Sequence, residues 1–111
     1  MSGVNKVILF GHIKGKPLFE AGQNNRCKLS FELTTIEKYR NDLQHAETHH
    51  IIMYNYVGFS AHTVLLDGML VYLEGSVNTI NFVDELNVKR HETRIQCSTF
   101  KILSHAQIPA A

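Results

Sequence analysis

Three imidazoles fall within six residues, His45, His49 and His50, and Asp42 and Glu47 lie beside them. A zinc site needs three or four convergent ligands. On an extended strand His49 and His50 point to opposite faces, so at most one of them can join His45, and no metal site is expected. Cys27 and Cys97 are far apart and outside any CxxC pair, a pattern of neither a zinc ribbon nor a disulfide framework, and both are expected to be ordinary buried thiols. There is no GxSxG, no P-loop, no HExxH and no carboxylate pair flanked by a base, so no enzyme class is suggested and no cofactor is implied. Gly11 and Gly15 lack the third glycine and the strand-to-helix setting of a dinucleotide fingerprint, and read as turn glycines.

A chain of 111 residues accommodates one compact domain, expected over 1–105, with a short extension at 106–111. Apolar residues at 44% supply a core, and charged residues at 19% are too few for a disordered chain. The formal net charge of +1 excludes a polycation that attracts any acid indiscriminately. A nucleic-acid ligand would have to be held by local placement and stacking. No basic leader precedes an apolar run, and no apolar run reaches the roughly 18 residues of a membrane span, so a cytoplasmic address without a membrane partner is expected.

The elements follow from periodicity. Residues 4–13 alternate with apolar side chains on both faces and predict a strand covered twice, by the core and by a neighbour or partner copy. Gly11, Gly15 and Pro17 break that pattern and predict a turn and loop up to Arg26. Cys27, Leu29, Phe31 and Leu33 alternate with polar residues, the mark of an antiparallel strand buried on one face. The polar stretch 37–48 has no period and predicts an exposed loop or hairpin arm, in which Tyr39 is conspicuous. Residues 49–57 (HHIIMYNYV) read as strand three, with His50, Tyr54 and Tyr56 on one face. Ser60 and Gly68 suit the two ends of a short helix over 61–66. Strand four is expected over 70–79, a charged hairpin tip at 84–90, and a bulged strand five over 93–103. One helix between strands three and four of five is the order of an all-β OB-fold, a Greek-key barrel.

Two runs are more specific than any pattern. GVNKVILFG at 3–11 and VYLEG at 71–75 closely resemble signature runs of bacterial single-stranded DNA-binding proteins, and the resemblance extends over nearly all of the expected core. It implies sequence-independent binding and protection of single-stranded DNA in replication, recombination or repair. LTTIEKYR resembles the family's LATSESWR, which puts a base-stacking aromatic at Tyr39. It also implies stacking at Tyr54, where the family has phenylalanine, and at Phe82, where it has tryptophan. The family's remaining stacking tryptophan falls at Thr48, so one platform is lost. Stacking contributes roughly 1 to 3 kcal/mol per base and tolerates any sequence.

Phosphate or polar contacts are then expected from Lys6, Lys14, Lys28, Lys38, Arg40, His50, Tyr56, Lys89 and Arg90, with Lys16 and Arg94 as further cations. His50 stands where the family usually has arginine, a contact charged only when protonated. Asn78, Ile80 and Asn81 replace a basic segment of the better-known members. The resemblance also implies a homo-oligomer, a tetramer first and a dimer next, and a nucleoid-associated location. The sequence ends SHAQIPAA without the family's acidic tip, so either the tail is cut from this sequence or the protein coats DNA without tail-dependent repair and replication partners. An alternative from a different class is an OB-fold adaptor of the primosomal type, acting mainly through protein interaction.

Overall fold

The computed structural model describes residues 3–24 and 26–104, apart from the side chains of Asp42 and Tyr56; the final segment that carries the SHAQIPAA ending lies largely outside it. Five strands and one helix follow in order: β1 (Val7–Ala21), β2 (Cys27–Lys38), β3 (Gln44–Tyr54), α1 (Asn55–His62), β4 (Leu70–Val83) and β5 (Lys89–Ser104). The strands close into a barrel in the order β1-β2-β3-β5-β4. β3 and β5 run parallel, with Ile51 opposite Ile95, and the other pairings are antiparallel. With the helix between β3 and β4, this is the expected OB-fold.

The alternation of β2 sends Leu29, Phe31 and Leu33 inward, where Ile13, Ile51, Met53, Val71, Leu73, Ile95 and Cys97 join them. Ala61 from α1, with Leu65 and Met69 behind it, belongs to the same core. Burial pushes the Cys97 thiol up to about 11, so it is an inert core residue, whereas Cys27 is only half-buried and not the buried thiol expected.

Further expectations are corrected. β1 does not stop at Ile13 but runs on to Ala21, through the stretch read as loop. Its pairing with β2 is interrupted between Lys14 and Leu18, and that bulge absorbs Gly15, at φ +83°, and Pro17, which has no N–H to give. Gly11 is not a turn glycine either: it lies within β1, where a Cβ would come 2.3 Å from the Thr34 carbonyl oxygen. Strand three ends at Tyr54 and the helix spans Asn55–His62 rather than 61–66. Asn55, at φ +53°, turns the chain out of the sheet, a conformation asparagine tolerates better than most residues. Tyr56 therefore lies in the first turn of α1 and not on the strand face.

The stretch 37–48 is a hairpin arm, paired from Lys38–Gln44 back to Thr34–Thr48 and closed by a short 3-10 turn at Arg40–Asp42. β4 and β5 make a second arm longer than expected: β4 runs past 79 to Val83 and β5 begins at Lys89 rather than 93, so the charged tip is 84–88 and not 84–90. β5 is bulged at two places, opposite Leu70/Val71 and Glu74/Gly75, which accounts for its mixed phase. No described helix is long and apolar enough to cross a membrane.

Candidate nucleic-acid interface

The register of β2 and β3 sets Glu32 beside His50, Ser30 beside Ile52 and Lys28 beside Tyr54 on the outer face of the barrel. A cleft of about 280 Å³ runs over this face, with Lys28, Glu32, His50, Glu92 and Arg94 among its walls. Its charges are nearly matched. His50 Nδ1 is 4.0 Å from Glu32 Oε1, and Arg94 Nη2 is 3.3 Å from Glu92 Oε2.

The three expected stacking rings stand just past β2, at the end of β3 and near the end of β4, and each keeps a large part of its surface open: Tyr39 is 53% exposed, Tyr54 40% and Phe82 43%. Tyr39 directly follows β2, and its N–H donates to the Leu43 carbonyl at 2.7 Å and so fixes the arm's turn. Its hydroxyl donates to Glu37 Oε2 at 2.8 Å, and that bond beside a carboxylate raises the phenol above its ordinary range. Lys38 and Arg40 flank the ring in sequence, both exposed.

Tyr54 lies on the divide between two clefts. One, of about 540 Å³, reaches Lys28, Glu20 and Arg26; the other, of about 550 Å³, reaches Lys6, Glu74 and Ser98. Lys28 Nζ is 3.5 Å from Glu20 Oε2, and Lys6 Nζ is 3.2 Å from Glu74 Oε1. The Lys6 ammonium holds the Glu74 carboxyl below its usual range.

Phe82 sits near the end of β4, opposite Arg90, with Lys89 opposite the next residue, Val83. The turn beyond it is built on Asp84. One carboxylate oxygen accepts the N–H groups of Leu86 and Val88, both at 2.9 Å, and the other accepts Arg90 Nε at 2.7 Å. Those bonds, with Arg90's the largest influence, hold Asp84 below the usual carboxylate range.

The expected cations lie near the rings to different degrees: Lys28 is opposite Tyr54 and Lys6 lines a cleft with it, Arg90 is opposite Phe82 while Lys89 is opposite the next residue, and Lys38 and Arg40 adjoin Tyr39 in sequence. Lys14 and Lys16 are exposed on β1 and line none of the clefts that hold a ring. Tyr56 lies outside the described side chains. Thr48 is exposed opposite Thr34, with no ring to offer. In the neutral segment of β4, the Asn78 amide donates to Gln96 Oε1 at 3.1 Å and Asn81 is bonded to the His91 ring.

The three clustered histidines are spread apart. His45 faces Glu47 at 3.4 Å, His49 bonds Thr35 Oγ1 at 2.9 Å, and among the described residues no three His, Cys, Asp or Glu side chains gather as a metal site would require. The sequence reading missed Arg26 on the β1–β2 turn and Phe59 on α1, which share a cleft of about 610 Å³. Phe59 carried no signal because it follows a run read as strand, where an apolar ring is ordinary core.

A closed five-stranded barrel with its helix after the third strand places this chain in the OB class, whose usual ligand surface is the strand 2–3 face with the β1–β2 and β4–β5 loops. Comparison with known proteins then fixes the family. The Single-strand binding protein family matches residues 4–103, and the chain belongs to it. It is 27% identical over 106 residues to Single-stranded DNA-binding protein 1 of Chlorobaculum tepidum, an alignment that takes in 91% of this chain and 65% of that protein. The chain therefore spans just under two thirds of that relative's length. Among solved structures, a Plasmodium falciparum SSB in complex with ssDNA matches with a TM-score of 0.85 at 21% identity, covering 94% of this chain and 98% of that one. That likeness is one of fold.

Proposed function

We propose that this protein binds and protects single-stranded DNA without sequence preference, through base stacking on Tyr39, Tyr54 and Phe82 and phosphate contacts from the cations beside them. The observation that carries the reading is that three exposed rings, with cations near them along the chain, across the ladder or in a shared cleft, stand on a barrel of this family. A ring with a cation at its side can take one base and its phosphate, and repeating that unit along a surface suits an unpaired strand of any sequence. His50 adds a contact that is charged only when protonated. The reading needs no cofactor and no catalytic step, and it carries a cytoplasmic, nucleoid-associated role in replication, recombination or repair.

It also carries self-association, as a tetramer first and a dimer next. Val7 and Leu9 pack against the core while Ile8 and Phe10 on the same strand stay exposed, an apolar outer face that a second copy would cover.

Titration with oligo-dT, followed by tyrosine fluorescence, tests the proposal: stacking quenches Tyr39 and Tyr54. Alanine at all three ring positions should abolish measurable binding while the barrel's circular dichroism is retained. Unchanged affinity in that folded variant would sink the reading. One observation favours an adaptor of the primosomal type instead: Lys6, Lys28, Arg90 and Arg94 are already ion-paired within the chain. An adaptor would show no quenching with any oligonucleotide.

A further inference from the structure

We propose that the β1–β2 turn and α1 form a further nucleotide site, with Phe59 as a base platform and Arg26 as its phosphate partner, on the strand that Tyr54 holds. This rests on the single-stranded DNA reading above and extends the contact surface beyond the three rings considered so far.

Phe59 is 62% exposed, more than any of those three rings. It is nonetheless fixed from behind. The His62 ring lies 5.1 Å from it at 49°, and His62 is itself stacked on Phe19 at 4.0 Å and 16°. Phe19 in turn packs against the core. Two rings in series, His62 and Phe19, therefore hold Phe59 in place while leaving it open to solvent, which is what a stacking platform requires, because an ordered ring loses little freedom when a base lands on it.

Arg26 is exposed on the turn that leads into β2, and it forms no ion pair among the described side chains. That turn is tied: Gly22 N–H donates to the Arg26 carbonyl at 2.7 Å and Arg26 N–H to the Gln23 carbonyl at 3.2 Å. The floor of the cleft is tied as well, with Cys27 N–H donating to Asn55 Oδ1 at 3.3 Å and the Cys27 thiol to the Asn55 carbonyl at 3.1 Å.

Continuity with Tyr54 decides the occupant. The cleft of about 610 Å³ under Phe59 and the cleft of about 540 Å³ under Tyr54 share Ala21, Gly22, Arg26, Cys27 and Asn55. The two form one groove with a ring at each end and a cation in the shared part. Glu20 is the carboxylate that lines it, and its charge is met by Lys28 at 3.5 Å. An unpaired strand stacked on Tyr54 has its next anionic backbone group beside Arg26 and its next base beside Phe59. The β1–β2 loop is also one of the places where OB barrels contact oligonucleotides.

The test uses the full chain and oligo-dT of about 16 nucleotides, long enough to cover one barrel. Phe59→Ala should weaken binding by roughly 5- to 150-fold, the range that 1 to 3 kcal/mol per stacked base converts to at 1.4 kcal/mol per tenfold. Phe59→Tyr should restore it. The chain has no tryptophan, so Phe59→Trp installs a unique reporter that oligo-dT should quench. Arg26→Gln should flatten the dependence of log affinity on log salt by about 0.7, the share of one phosphate on a single strand. If the wild-type protein binds oligo-dT, the Phe59→Ala variant binds it equally and the tryptophan stays unquenched, this site does not exist and the broader reading stands. A shift in sedimentation of Phe59→Ala without loss of affinity would likewise overturn the site and mark the face as a contact between copies. A wild-type protein that ignores oligo-dT would defeat the broader reading first.

Discussion

Glu20 is placed to restrain binding rather than to assist it. Its carboxylate stands 3.5 Å from the Lys28 ammonium, beside the cleft that Tyr54 lines. A phosphate that recruits Lys28 must draw it from this partner. Exposed pairs of this kind contribute about 0.2 to 1 kcal/mol, and at 1.4 kcal/mol per tenfold that restraint corresponds to a roughly 1.5- to 5-fold loss of affinity. Glu20→Gln removes the competitor with little change of shape, so the variant should bind oligo-dT roughly 1.5 to 5 times more tightly at low salt. Lys28 then counts fully towards phosphate neutralisation, and the log–log salt dependence should steepen by up to about 0.7. The assay is the tyrosine-fluorescence titration over a series of salt concentrations, with Glu20→Gln/Lys28→Gln as the control in which the gain disappears. Equal or weaker affinity of Glu20→Gln at low salt would refute the assignment of Lys28 to the phosphate path.

Two further outcomes concern the barrel itself. Leu33 is fully buried among Phe31, Ile51 and Leu73, and Leu33→Ala should destabilise the fold by about 2 to 5 kcal/mol in urea unfolding. The Asp84 carboxyl is lowered in the folded state, so its contribution to stability is present above the unfolded carboxylate value and is lost as pH falls through the still lower folded one. Asp84→Asn should therefore reduce stability at neutral pH and flatten the acid limb of stability against pH, as measured by thermal unfolding; an unchanged acid limb would show that the tip does not depend on this carboxylate.

The barrel was legible where burial imposes a strict period. β2 could be read because Leu29, Phe31 and Leu33 face the core and their neighbours face water. The errors lie where one residue type serves two ends. Gly15 and Pro17 mark a bulge as readily as a turn, and only the pairing of Leu18, Phe19 and Glu20 with β2 shows that the strand resumes. The run IIMYNYV is rich in strand formers, yet the left-handed conformation of Asn55 converts its second half into helix. That single displacement removed Tyr56 from the strand face and hid Phe59. The proposed stacking positions were suggested only by the family resemblance, since nothing in the local pattern around Phe82 separates it from an ordinary strand residue. Their surroundings were not legible at all, because which cation meets which carboxylate depends on partners as distant as Lys6 and Glu74.

Those pairings bear on how the strand would be held. Six of the expected cations lie near the three rings along the chain, across the ladder or in a shared cleft, and Lys6, Lys28 and Arg90 are already engaged with Glu74, Glu20 and Asp84. Lys38, Arg40 and Lys89 have no ion pair among the described side chains. At about 0.7 per phosphate, the unengaged cations alone give a log–log salt slope near −2, and all six together near −4. On the proposed reading, three platforms at roughly 1 to 3 kcal/mol each would outweigh what the engaged cations can add after leaving their partners. Ring substitutions should therefore cost more affinity than charge substitutions at every salt concentration. A measured slope well beyond about −5, the value with Arg26 added to the six, would contradict this ranking, because it would require cations away from the rings, such as Lys14 and Lys16, to carry the strand.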